Sequence, residues 1–143
     1  MALDAVDPGQ LLFDDSEEIP IVARLSSTLL QVRAVTRDFA PEHAPFPLAG
    51  VTRVGVIPFG KVDGGGRCHG AQVLVGGRRA ALLGPPALEY MRVDLTAHPE
   101  AQAGDEVVLI GDTITLAETC ATRGQRPSDL ALAIGPLVER RWL

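Results

Sequence analysis

Aromatic residues make up only 4% of this 143-residue chain, so its core has to be assembled from Val, Leu, Ile and Ala. Cysteine is almost as scarce. Cys68 and Cys120 are too few and too far apart for a disulfide framework, and a reducing compartment is the expectation. No apolar run approaches the roughly 20 residues that cross a bilayer. Met1 to Asp7 has neither the basic start nor the apolar stretch of a secretory signal, so a soluble, cytoplasmic protein is expected. His43, Cys68, His69, His98 and Cys120 include no close ligand pair of the Cys-x-x-Cys kind, so no metal site is expected. Lysine occurs once, as Lys61, against 12 arginines. A net charge of −5 argues against a general polyanion binder, so neither nucleic acid nor membrane is expected as a partner.

What remains is a globular composition. Hydrophobic residues are 46% and charged residues 22%, with 15 Gly and 11 Pro that demand many turns. The length fits one domain, which at this size buries about two-thirds of its unfolded surface without metals or disulfides. Residues 1–18 close on Asp14-Asp15-Ser16-Glu17-Glu18, an acidic run that reads as a solvated arm or a docking segment. Residues 19–143 form the folded domain.

Within that domain the apolar spacing is mostly that of short strands. Ile21 to Ser26 and Leu29 to Val35 have strand-like spacing, with Leu30, Val32 and Ala34 on one face. Asp38 to Gly50 carries three prolines and reads as a loop, and Val51 to Phe59 as a buried strand. Ala71 to Val75, Gly76-Gly77 and Arg78 to Leu83 spell a hairpin, since paired glycines supply the positive φ angles of a two-residue turn. Tyr90 to Leu95 and Glu106 to Ile110 are further strands. Leu116, Thr119 and Cys120 then share a helical face, and Ser128 is positioned to cap a second helix bearing Leu130, Ala133 and Ile134. Val138 to Trp142 reads as a last strand. The pattern predicts a mainly β protein, a β-barrel with two short helices.

Chemistry centres on Phe59-Gly60-Lys61-Val62-Asp63-Gly64-Gly65-Gly66-Arg67. A lysine desolvated between apolar neighbours can lose its proton near neutrality and act as base or nucleophile, whereas an exposed one is only a surface charge. Gly55 to Val62 resembles a P-loop, but Val62 cannot hold magnesium and no helix follows, so nucleotide binding is excluded. Gly64-Gly65-Gly66-Arg67 could cradle an anion with amides and guanidinium, or serve only as a turn. Glu89, Asp63 and Asp94 could supply a carboxylate pair for proton transfer if the fold brings them together. Tyr90 and Trp142 either line a substrate pocket or pack.

In order and spacing these segments resemble the alanine racemase C-terminal domain from about Pro20 onward. Pro20 to Leu25 with Leu30-Gln31-Val32-Arg33 is similar to its opening strands. Gly60-x-x-Asp63-Gly64-x-x-Arg67 is similar to its signature turn, and Val93-Asp94-Leu95-Thr96 with Gly104 to Gly111 to its middle section. Leu116-Ala117 and Arg140-Arg141-Trp142 are similar to its end.

The resemblance implies a domain that works beside a (β/α) barrel carrying pyridoxal phosphate on a lysine. That barrel is not matched here, and Lys61 does not correspond to its lysine; Lys61 stands where the signature has a catalytic tyrosine. Leu88-Glu89 replaces a Met-Asp pair, Ser128 stands roughly where the family has a gate tyrosine, and the Asp38–Gly50 loop lacks another tyrosine of the family. These departures argue against racemisation by this chain alone. Two further uses compete. One is a cofactor-independent isomerase or cyclase of secondary metabolism. It would use Lys61, Asp63 and Glu89 as acid/base residues, Arg67, Tyr90 and Trp142 toward a small-molecule substrate, and no cofactor. The other is a partner subunit completing a separate pyridoxal-phosphate barrel, or a degenerate binding module. Homodimerisation is compatible with either.

Overall fold

The computed structural model describes residues 24–35, 50–66, 68 and 70–141. The acidic arm, most of the Asp38–Gly50 loop, Arg67 and Trp142 lie outside the described residues. Seven strands and two helices follow in order: β1 (Leu25–Thr28), β2 (Gln31–Ala34), β3 (Arg53–Ile57), β4 (Gln72–Val75), β5 (Arg78–Ala81), β6 (Met91–Asp94), β7 (Glu106–Ile110), α1 (Leu116–Arg123) and α2 (Pro127–Ala133).

The strands form two antiparallel sheets, β1-β7-β4-β5 and β2-β3-β6. The chain changes sheet at Leu29-Leu30. The Leu29 amide donates to the Asp105 carbonyl at 2.9 Å, beside β7, and the next amide donates to Val56 of β3 at 2.8 Å. On the opposite side a single bridge, Leu82 to Val93, ties the end of β5 to β6. The expected barrel is therefore corrected: the described residues form two sheets joined at a corner and by one bridge, without closure. Pro85 and Pro86 follow that bridge, and with no amide hydrogens to donate they end the ladder.

The period-2 pattern sorts the core. Met91 and Val93 of β6 are buried while Arg92 and Asp94 are half-exposed. They pack with Ile57, Leu95, Val107 and Leu109, and the helices add Leu116, Cys120 and Leu130. Gly55 of β3 lies where the core is densest, since a Cβ there would come within 2.8–2.9 Å of Leu29, Leu95 and Val93 side chains. Gly76 and Gly77, at φ 57° and 74°, make the expected hairpin turn between β4 and β5.

Three local expectations change. Leu30 is exposed, because the corner at Leu29-Leu30 breaks the alternation and turns Leu29 inward instead. Ser128 does not cap α2. Arg126 is the N-cap residue, with no side-chain cap bond, and Pro127 opens the helix, so only Leu130 is buried and Ala133 is exposed. Val138 to Arg141 forms no strand. By contrast α1 has a built start and stop. The Thr115 hydroxyl accepts the Glu118 amide, and Gly124 ends the helix at φ 60°. Among the described residues no helix is long and apolar enough to cross a membrane.

Candidate functional site

The glycine-rich segment is a fastened turn. Lys61–Asp63 forms one turn of 3₁₀ helix between Gly60 and Gly64. The Asp63 carboxylate accepts the Gly60 amide at 2.8 Å, closing the turn on itself. The amides of Lys61 and Val62 donate outward to the carbonyls of Ala87 and Leu88, at 3.0 and 3.1 Å. Gly60 permits this approach, since a Cβ there would meet the Leu88 carbonyl, the Tyr90 nitrogen at 2.5 Å and the Glu89 carbonyl carbon at 2.6 Å. From below, the Arg123 guanidinium of α1 donates to the Gly64 carbonyl at 3.1 Å and the Cys68 thiol donates to Gly65 at 2.8 Å. Gly135, just past α2, fits against Val62 where a Cβ would come within 2.5 Å of the Val62 carbonyl.

This frame brings some of the expected site residues together. Lys61 and Glu89 are both exposed, on segments joined backbone to backbone. Tyr90 is exposed on the same segment as Glu89, and the Arg92 guanidinium lies 4.8 Å from its ring centroid while donating to its hydroxyl at 2.9 Å. Asp63 is half-buried and its carboxylate serves the turn. Asp94 accepts the Thr96 amide at 2.8 Å and caps a turn of its own. Arg67 and Trp142 lie outside the described residues. Of the two uses open to Gly64-Gly65-Gly66-Arg67, an anion cradle is not formed by the Gly64 and Gly65 amides, which donate to the Lys61 and Gly60 carbonyls at 3.3 and 2.8 Å.

Apolar side chains are also exposed on the turn and on the segments whose backbones pack against it. Val62, Leu88, Leu132 and Leu137 are exposed, the last to 86%. The backbone places these segments side by side, through Val62 to Leu88 and through Gly64, which abuts Ala133. Beneath them, burial pushes the Cys68 thiol up, with the Arg123 charge acting in the opposite sense. Arg123 is only 5% exposed, and the sequence reading passed over it. Its signal was present, since it follows Leu116 and Cys120 at seven and three residues and so shares their buried helical face.

A separate open cavity of 310 Å³ lies by the β4–β5 turn, lined by Gly76, Arg78, His98, Glu100 and Asp105 among others. No residue of the lysine turn lines it. Among the described residues no group of three or more His, Cys, Asp or Glu is arranged to hold a metal ion.

Two open antiparallel sheets with a fastened glycine turn define a small, mainly β domain. The family model for the alanine racemase C-terminal domain matches residues 22–142, and the chain belongs to that family. It is 31% identical over 154 aligned positions to the alanine racemase of Thermodesulfovibrio yellowstonii, covering 98% of this chain and 41% of that protein. It is 32% identical to the alanine racemase of Pseudomonas taetrolens, covering 87% and 38%. Among solved structures, the biosynthetic alanine racemase of Pseudomonas aeruginosa matches with a TM-score of 0.69 at 32% identity, over 82% of this chain and 34% of that one. The fold is also that of Bartonella henselae alanine racemase with covalently bound pyridoxal phosphate, at TM-score 0.75 and 20% identity, over 91% and 37%. The chain thus spans about two-fifths of the length of the curated relatives it matches.

Proposed function

We propose that this domain acts as the rim of an active site built on a separate barrel domain, whether on the same polypeptide or another, and that Lys61 is the group it presents there. One observation carries the reading: the turn is rigidly anchored, yet Lys61 and its apolar neighbours Val62 and Leu88 are exposed at one edge. An edge fastened from below and open above suits a surface that another domain covers. The relatives are named alanine racemases, which supports an amino-acid substrate and proton transfer at its α-carbon.

The described residues do not suit pyridoxal phosphate by themselves. The only lysine is exposed, and the amides of residues 61 to 65 are already donated to backbone carbonyls, which leaves none of the five for a phosphate. In this reading the cofactor belongs to the barrel, and the present chain contributes shape, an ammonium and closure against water.

The self-sufficient isomerase or cyclase receives less support. It requires Lys61 desolvated beside a free carboxylate, whereas Lys61 and Glu89 are exposed and Asp63 is engaged with Gly60.

The test mixes this chain with the barrel domain of the Pseudomonas aeruginosa biosynthetic alanine racemase, loaded with pyridoxal phosphate. Light scattering then reads assembly and alanine interconversion reads activity. Assembly that weakens at least tenfold in Leu88→Glu supports the reading, as does activity that rises when Lys61→Tyr restores the family residue. A monomeric chain that never associates, or that turns over a small molecule unaided, overturns it.

A further inference from the structure

Arg123 is a buried cation with no carboxylate partner among the described residues. It is 5% exposed, its Nε has no hydrogen-bond partner, and its one hydrogen bond runs from Nη1 to the Gly64 carbonyl at 3.1 Å. The four ion pairs of the described residues all lie on exposed side chains elsewhere. A guanidinium taken out of water without a counter-ion is costly, and a leucine would fill the same helical face at no such cost. The arrangement therefore calls for a role that leucine could not perform.

Its partner indicates that role. Gly64 stands at φ 102°, in the left-handed region, directly after the 3₁₀ turn. Its carbonyl accepts from a donor on α1, 59 residues away. The other turn carbonyls are held by backbone amides or by the nearby Cys68 thiol: Gly60 by the Asp63 and Gly65 amides, Lys61 by the Gly64 amide, Asp63 by the Gly135 amide just past α2 at 3.4 Å, and Gly65 by the Cys68 thiol. Among the described residues, Arg123 is thus the one helical side chain that hydrogen-bonds to the turn, and it engages the peptide that follows the Lys61 turn.

We infer that Arg123 is a positioning residue for Lys61: by holding the Gly64 peptide it fixes the direction in which the turn presents its ammonium. The inference rests on the reading of Lys61 as the presented group, but its test needs no barrel. Because Lys61 is the only lysine, selective ¹³Cε-lysine labelling of the whole chain gives one side-chain methylene signal. Backbone amides of Val73, Ala80 and Val107, in the sheet core, report folding separately.

In Arg123→Met the lysine signal is expected to move toward its value in the urea-unfolded chain. Gly65 amide exchange should accelerate at least tenfold while the sheet amides stay in place. In Arg123→Gln, whose amide can still donate to a carbonyl, both readouts should recover at least half of the change. A folded Arg123→Met with an unmoved lysine signal and unchanged Gly65 exchange overturns the inference. If Arg123→Met does not fold, Arg123→Gln decides: near-native values support positioning, and fully unfolded-like lysine values over intact sheet amides overturn it. Failure to bind a barrel leaves these readouts untouched, so the two ideas fall separately.

Discussion

Gly60→Ala is the sharpest perturbation of the proposed rim. Gly60 lies at φ −125°, a conformation open to any residue, so a methyl there carries no backbone strain and its cost is purely steric. That methyl would meet the Leu88 carbonyl, and would stand 2.5 Å from the Tyr90 nitrogen and 2.6 Å from the Glu89 carbonyl carbon. All three are backbone atoms, so no side-chain rotation relieves the clash, and the turn must separate from residues 87–90. Overpacking of this kind costs about 1–3 kcal/mol. Separation also breaks the Lys61 to Ala87 and Val62 to Leu88 bonds, each worth about 0.5–1.5 kcal/mol. The expected loss is about 2–6 kcal/mol, a large share of the 5–15 kcal/mol typical of a domain. Urea unfolding followed by far-UV circular dichroism measures it. Gly66→Ala is the control, because nothing lies within 4 Å of its Cβ position and its φ is not positive. That variant should change stability by less than about 1 kcal/mol. Equal midpoints for Gly60→Ala and Gly66→Ala would refute the proposed packing of the turn.

Other outcomes follow from the same contacts. His98 is buried with both ring nitrogens unpartnered, so His98→Leu should be neutral or stabilising by about 1 kcal/mol; a loss above about 2 kcal/mol in urea titration would mean that the imidazole is satisfied in solution. Arg53 donates to the carbonyls of His98, Pro99 and Ala101, so Arg53→Ala should loosen residues 98–101, with faster amide exchange at Ala101 and a loss of about 2–3 kcal/mol. Cys68 and Cys120 are buried, and burial raises the Cys68 thiol, so neither should react with a thiol reagent at neutral pH until urea exposes both. The Arg24 hydrogen bond holds the Glu106 carboxyl below its usual range. The stabilisation is therefore present above the unfolded carboxylate value and is lost as pH falls through the lowered folded value. With both side chains over half exposed, Glu106→Gln should cost no more than about 0.5 kcal/mol at pH 7 and nothing once the pH lies below the lowered folded value.

Strand and helix periodicity was local information, and the sequence carried it well. The apolar run 107–110 delimits β7, the Gly76-Gly77 pair dictates its hairpin through positive φ, and Leu116, Thr119 and Cys120 mark the buried face of α1. The order of motifs around Gly60, Asp63 and Gly64 was likewise sufficient to place the chain in its family. Barrel closure was not legible, because it depends on whether β5 and β6 exchange a ladder or a single bridge, a long-range pairing that Pro85 and Pro86 interrupt. Nor could the sequence distinguish a buried Lys61 from an exposed one. Its apolar neighbours Phe59 and Val62 suggested desolvation, yet only Phe59 turns inward, while the Lys61 and Val62 amides are drawn outward to residues 87 and 88. The sequence by itself determined most of the elements, the family and the glycines that a tight turn requires. Tertiary structure alone decided which distant groups meet: the Lys61 and Val62 amides joined to residues 87 and 88, Arg123 brought 59 residues to Gly64, and Lys61 left facing water. Periodicity is a property of neighbours along the chain, whereas burial and pairing arise only when distant segments pack.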